Sequence, residues 1–253
     1  MGSIKIKSKE DIKELKKLGD TITLIAREVK ESIQAGMSTK DIEEVAVSLF
    51  EKYNVKSAFL GYRGYPANIC VSVNSEVVHG IPSSKRIILN GDIVSIDIGV
   101  YRNGWYSDIA FSVGVGEISP IFHKLLEVTE EAIYYAAEVA ACPGKCTGDI
   151  GQAIQFFIEK YRFSVVRDYG GHGIGHQLHE EPSVPNFGNP YEGVRLVAGM
   201  VLTLEPMATT GHHSVKVLSD GWTVVTCDGS VSAHFEHMIH ITEKGFEFLT
   251  SKV

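Results

Sequence analysis

The chain has 253 residues, 44% of them hydrophobic, and a formal net charge of −7. That is enough apolar content to bury a large core, while the acidic balance and the lack of a basic stripe exclude general nucleic-acid binding. No run approaches the roughly twenty apolar residues of a membrane span, and the lysine-rich start lacks the apolar stretch of a signal peptide.

Met1-Gly2 does not lead into a myristoylation motif, because Ile6 stands where Ser or Thr is needed. A cytoplasmic protein with no membrane association is expected. The four cysteines, Cys70, Cys142, Cys146 and Cys227, form no CxxC pair, and Cys142-Pro-Gly-Lys-Cys146 has no second pair to complete a zinc site, so they read as reduced thiols.

In chain order, Ser8 to Asp11 reads as a capping box, opening a helix with apolar residues Ile12, Leu15, Leu18, Ile22, Ile25, Val29 and Ile33 at helical spacing and Gly36 as its stop. Ser38 to Asp41 opens a second helix through Ile42, Val45, Leu49 and Tyr53. A strand near 69–74 follows, then two β-rich runs, Ile93 to Val100 and Tyr106 to Val113, around Asn103-Gly104. Asn-Gly is the signal of a two-residue type I′ turn. If Arg102 pairs with Trp105, paired numbers sum to 207, so Asp97 faces Ala110 and Asp108 faces Gly99. Side chains alternate faces along a strand, so the two aspartates project together, roughly 7–8 Å apart at Cβ or less. Two bare carboxylates in an apolar strand repel and are costly to desolvate unless one is protonated or a metal neutralises both. The bland alternative is a solvated face of the hairpin.

Ser119-Pro120 opens a third helix running to Cys142-Pro143-Gly144, and Thr147 is expected to cap a fourth through Ile150, Ile154, Phe157 and Tyr161. Short strands are expected at 165–166, 200–205, 215–217, 222–226 and 231–241, then a short helix over 243–249. Two halves of similar order, roughly 8–115 and 119–241, suggest one pseudo-twofold α+β domain with a mixed or antiparallel sheet under four helices.

The second half has its own chemistry. Tyr169 to Pro182 places His172, His176 and His179 in a glycine-rich, proline-terminated loop. His172 and His176 have the spacing of a helical HExxH zinc site, but Gly173 replaces the Glu and Gly175 weakens the helix, so that reading fails. Glu205 ends a strand, and Glu236 lies in one that reads as core, where a partly exposed or salt-bridged Glu is the ordinary alternative. Asp97, Asp108, Glu205, Glu236 and a histidine together make an oxygen-rich set suited to two divalent ions, Mn, Fe or Co rather than structural Zn.

The strings GYRGYPANIC, HGIP, DIGVYRNGWYSD, GGHGIG, HEEP, TLEP, DGW and EHMIHIT, in this order over essentially the whole chain, resemble type I methionine aminopeptidases of the short bacterial kind. The resemblance implies the pita-bread fold and removal of N-terminal methionine from nascent proteins and peptides, preferably before a small residue. It implies Asp97 as ligand to one metal, His172 and Glu205 as ligands to the other, and Asp108 and Glu236 as bridges. Two ions roughly 3.5–4 Å apart would activate a hydroxide that attacks the scissile carbonyl, with Glu205 as general base. Mn, Fe or Co is implied, with Zn or Ni as alternatives. His79 and His179 would orient the scissile amide and stabilise the developing charge.

His176 reads as structural. The methionine pocket is implied at Phe59, Tyr62, Tyr65, Cys70, Leu178 and Trp222, where Phe59 and Leu178 depart from the usual bacterial Cys and Phe. A monovalent cation site is implied near Asn74 and Ser232. The partners expected are a peptide or nascent chain with N-terminal Met and the ribosome, with the protein a monomer. Aminopeptidase P and prolidase share the catalytic fold but usually carry an extra N-terminal domain. Pita-bread proteins that only bind have lost metal ligands, and all five are present here.

Overall fold

The computed structural model describes residues 4–253, so Met1-Gly2 lies outside the described residues. Helix α1 spans Lys9–Ser32. Both arms of its capping box form: the Asp11 N–H donates to Ser8 Oγ at 3.2 Å, and the Ser8 N–H to Asp11 Oδ2 at 2.9 Å. The helix stops four residues before Gly36, which instead takes a left-handed turn (φ 95°). Helix α2, Thr39–Lys52, is capped in the same way by Ser38 and Asp41. The short strands β1 (Lys56–Ser57), β2 (Cys70–Val73) and β3 (Glu76–Val78) lead to the long hairpin of β4 (Ile93–Arg102) and β5 (Trp105–Gly114).

Helix α3, Pro120–Ala140, ends just short of the Cys-Pro-Gly stop. Helix α4, Thr147–Lys160, is capped by Cys146 rather than by Thr147. The reason is local: the Thr147 hydroxyl accepts the Val194 N–H at 3.2 Å, while Asp149 Oδ2 takes the Cys146 N–H at 2.7 Å. Tyr161, expected in the apolar stripe, is the C-cap of α4 and is exposed.

Strands β6 (Ser164–Val165), β7 (Gly170–Gly173), β8 (Glu180–Pro185), β9 (Val201–Leu204), β10 (Met207–Thr209), β11 (Val215–Val217) and β12 (Val224–Thr226) follow. The single run expected over 231–241 is two strands, β13 (Ser232–His234) and β14 (His237–Ile241). The chain changes sheets at Phe235-Glu236, and Glu236 bridges Ala110 of the hairpin. The helix expected over 243–249 is also corrected: strand β15 (Phe246–Phe248) pairs Phe248 with Ile239 and Phe246 with Ile241. Phe-Glu-Phe has the period of a strand, and β14 offers it an open edge.

All pairings among the described residues are antiparallel, in four groups: β1-β4-β2 with β5 on β4, β13-β10-β6, β11-β12-β3, and β15-β14-β9-β7-β8. One hydrophobic cluster runs from Leu15 of α1 through Ile96 and Ile98 of β4 and Ile133 of α3 to Ile239 of β14. The helices therefore cover the outer face of the strands. The opposite face of β4, β5, β9 and β14 is left to polar side chains, and the candidate site lies there.

Candidate metal centre

The hairpin has the register its turn dictates. Arg102 pairs with Trp105, Asp97 with Ala110 and Asp108 with Gly99, along ten consecutive pairs. Asn103 and Gly104 both have positive φ, 53° and 87°, as a type I′ turn requires. The solvated-face alternative fails, because Asp108 is only 3% exposed. Cys70 of β2 lies opposite Asp97 on the other side of β4.

The second half meets this face through separate strands. In the register of β9 and β14, His237 pairs with Leu204, which sets Glu236 and Glu205 side by side at the strand ends. His172 is at the bulged end of β7, its N–H donating to Thr203 Oγ1 at 3.0 Å. The Thr203 hydroxyl in turn donates to Glu205 Oε1 at 3.2 Å. His172 Nδ1 lies 2.9 Å from the Gly173 carbonyl oxygen, which can only accept, so Nδ1 carries the hydrogen. Nε2 keeps its lone pair, 3.5 Å from Glu205 Oε1. Among the described residues, Asp108, His172 and Glu236 each bring a donor atom to within 4.8 Å of the others.

The electrostatics are those of a site built for cations. Burial, opposed by hydrogen bonds from Asp108 and Cys70, pushes Asp97 up to about 7. Burial, then repulsion from neighbouring carboxylates, raises Asp108, Glu205 and Glu236 well above the carboxylate range. Burial lowers His172 to about 4, leaving it neutral at pH 7. Asp97 Oδ1 and Glu236 Oε1 are buried without a hydrogen-bond partner. Buried polar atoms are rarely left so, and four crowded carboxyl groups with a neutral imidazole fit a divalent metal in chemistry and placement.

All five predicted ligands and all eight predicted substrate-side residues line one cavity of about 140 Å³. This is well below the roughly 300–1,000 Å³ that encloses a drug-sized molecule, so it has room for one side chain. Its apolar wall is Phe59, Tyr65, Cys70, Leu178 and Trp222, with Tyr65 edge-on to Trp222 at 5.1 Å. Phe59 lies against Gly99, where a Cβ would overlap its ring. His79 sits at φ 60°, its ring edge-on to those of Tyr169 and Trp222, and desolvation lowers its pKa.

His179 has an edge open to solvent, yet its ring lies between Tyr62 (stacked at 5.2 Å) and His172 (4.2 Å), and shares a hydrogen bond of 2.9 Å with the Tyr62 hydroxyl. This packing, then the neighbours His172, Arg63 and His79, hold it below the usual imidazole range. His176 is outside the cavity: it stacks on Trp105 and hydrogen-bonds the Gly104 carbonyl at 2.9 Å, which ties the histidine loop to the hairpin turn. Asn74 and Ser232 do meet, the Asn74 carbonyl accepting both the N–H and the hydroxyl of Ser232.

Two further residues belong to the site. Thr203 precedes Glu205 by two, and strand parity alone would have put it on the same face. Arg63 joins the cavity rim from a loop at φ 49°, for which the sequence carries no periodic signal.

The chain is similar to known proteins over nearly its whole length. Residues 13–243 match Metallopeptidase family M24. The chain is 48% identical over 236 residues to methionine aminopeptidase 1 of Bacillus subtilis, covering 93% of this chain and 94% of that protein. The crystal structure of methionine aminopeptidase from Thermotoga maritima superposes with a TM-score of 0.96 at 45% identity, covering 99% and 100% of the two chains. The prolidase of Pyrococcus horikoshii shares the fold alone, with a TM-score of 0.76 at 24% identity over 98% of this chain and 64% of that one. The chain belongs to metallopeptidase family M24 and, within it, to the methionine aminopeptidases.

Proposed function

We propose that the protein removes the N-terminal methionine from peptides and nascent chains whose second residue is small, using two divalent ions held by Asp97, Asp108, His172, Glu205 and Glu236. The observation that carries this reading is the single small cavity in which five metal-competent side chains face an apolar wall. When bound, such ions supply Lewis acidity that polarises a carbonyl and makes water nucleophilic at neutral pH. Mn, Fe or Co suits the oxygen-rich donor set, and Zn or Ni would also be accepted.

The protein's own groups do the rest. The apolar wall of Phe59, Tyr65, Cys70, Leu178 and Trp222 takes the methionine side chain and excludes water. Glu205, oriented by the Thr203 hydroxyl, takes a proton from the attacking water and returns it to the leaving amine. His79 and His179 flank the cavity from opposite halves of the chain and hydrogen-bond the scissile amide and the charge that develops on it. Tyr62 fixes the His179 ring. A monovalent cation near Asn74 and Ser232, a monomeric state, action beside the ribosome and a cytoplasmic location complete the proposal.

The test is release of methionine from Met-Ala-Ser by chelated protein supplied with Mn, Fe or Co, with an Xaa-Pro dipeptide as control. Turnover of the methionyl peptide alone is expected. Failure with every divalent metal, or preferential cleavage of the Xaa-Pro dipeptide, would overturn the reading.

A further inference from the structure

We infer that Lys7 is a positioning residue for this reaction: through Glu180 it fixes the turn that carries Leu178 and His179 to the mouth of the site. The inference rests on the methionine-releasing reading for what that turn does, though not for how it is held.

The turn runs from Gly175 to His179, between β7 and β8, and has no strand partner of its own. What holds it is Glu180. One carboxylate oxygen, Oε1, accepts the N–H groups of His176 at 2.9 Å and Gln177 at 3.1 Å. The other, Oε2, meets Lys7 Nζ at 2.5 Å. Both side chains of the pair are almost wholly withdrawn from solvent, at 4% and 3% exposure. The segment bearing Lys7 is itself anchored, its N–H donating to the Gly199 carbonyl at 2.8 Å and its ammonium also reaching the Lys5 carbonyl at 3.2 Å.

The surrounding sequence is shaped to admit it. A Cβ on Gly175 would overlap Lys7 Cε, and one on Gly199, which sits at φ 89°, would overlap Ile6. From the other side, the Tyr106 N–H donates to the Gly175 carbonyl at 2.8 Å and His176 holds the Gly104 carbonyl. The turn is thus clamped between the segment before α1 and the tip of the hairpin.

A buried ion pair is a poor source of stability, since apolar side chains of equal volume commonly do as well. What this pair supplies is direction. A carboxylate aimed at two consecutive amides sets the path of the turn, and two residues further on that path become the cavity wall at Leu178 and the amide-facing ring of His179. Neither Lys7 nor Glu180 lines that cavity, so their influence passes through the turn. A displacement of about 1 Å at a group acting on the transition state can cost as much as 10²-fold in rate.

Two variants test this on the full chain. Lys7→Met leaves Glu180 buried with only the more distant and more exposed Lys5 ammonium, 3.7 Å from Oε1. Lys7→Met with Glu180→Gln removes the charge but keeps an oxygen for the His176 and Gln177 amides. Lys7→Met is expected to lower kcat/KM on Met-Ala-Ser by about 10–100-fold, chiefly in kcat, as misplacement of His179 requires. Mn affinity should be unchanged, and hydrogen exchange at the amides of residues 176–179 faster. The double variant should recover most of both losses.

A merely structural role would lower the melting temperature and leave kcat intact at a temperature where the variant is folded, and that result overturns the inference. So does a Lys7→Met protein whose 176–179 amides stay as protected as in the parent. If the parent itself releases no methionine, the functional reading fails separately, and the amide exchange still decides whether Lys7 holds the turn.

Discussion

The hairpin and the three-strand cradle opposite it present similar side chains by different means. Strands β4 and β5 share ten consecutive pairs joined by two residues, so Asp97 and Asp108 belong to one local unit. His172, Glu205 and Glu236 come from three segments separated in sequence, and β7 meets β9 at the single pair Gly173 and Leu202 after a bulge. The aspartates are therefore set by a ladder that forms locally. The cradle reaches its geometry only when distant segments have met, held by contacts such as Thr203 to His172 and Lys7 to Glu180. The difference separates a fixed reference from an adjustable partner.

The most severe way to probe it removes one donor from each side. Asp108→Asn and His172→Ala should each reduce kcat/KM by about 10³-fold or more, since metal stabilisation is worth several kcal/mol. Their effects on the chelated protein should part company. Asp108→Asn removes a carboxyl that burial, then Glu236 and Asp97, force to hold a proton at a cost to the fold near neutral pH, and should raise the melting temperature. His172→Ala leaves an empty space and should lower it. Equal destabilisation by both would remove the distinction.

The same charges predict the pH behaviour of the metal-free protein. Asp97 has its carboxyl pushed from 3.8 up to about 7 by burial, so above pH 4 the folded state holds more protons than the unfolded one. Stability then falls as pH rises between about 4 and 7, by on the order of 4 kcal/mol for this group alone. Chelated protein should melt at progressively lower temperature from pH 5 to pH 7.5, and Mn should flatten the dependence. A metal-free protein that gains stability over that range would show that the carboxylates are not in conflict.

A smaller effect belongs to the cradle alone. Thr203→Val strands the buried His172 N–H and frees Glu205, at a cost of about 1–3 kcal/mol. A fall of about tenfold in kcat with little change in KM is expected, because Glu205 acts on the proton and not on the methionine side chain.

This asymmetry also explains what the sequence discloses. Parity and an Asn-Gly turn give the hairpin register in advance, because every constraint lies within about twenty consecutive residues. Glu236 could be suspected from its apolar surroundings, yet nothing local says that the chain changes sheets at Phe235-Glu236. Thr147 reads as a cap until the loop at Val194 claims its hydroxyl. Phe246-Glu-Phe248 reads as helix until the free edge of β14 is known. Lys7 and Glu180 lie 173 residues apart, and neither end alone announces the other.

The finest test bears on the hairpin turn. Gly104 sits at φ 87° with nothing within 4 Å of where a Cβ would be, so Gly104→Ala carries no steric clash with other residues. It carries only the conformational penalty of a side chain in the left-handed region, about 1 kcal/mol. The Gly104 carbonyl, which His176 holds, is retained. If the ten-pair ladder and not the turn fixes Asp97 and Asp108, the variant should unfold at slightly lower denaturant while its kcat/KM stays within about twofold of the parent. A larger kinetic loss would mean that the turn transmits its shape through His176 to the loop carrying His179, and the hairpin would then be a moving part of the site and not its reference.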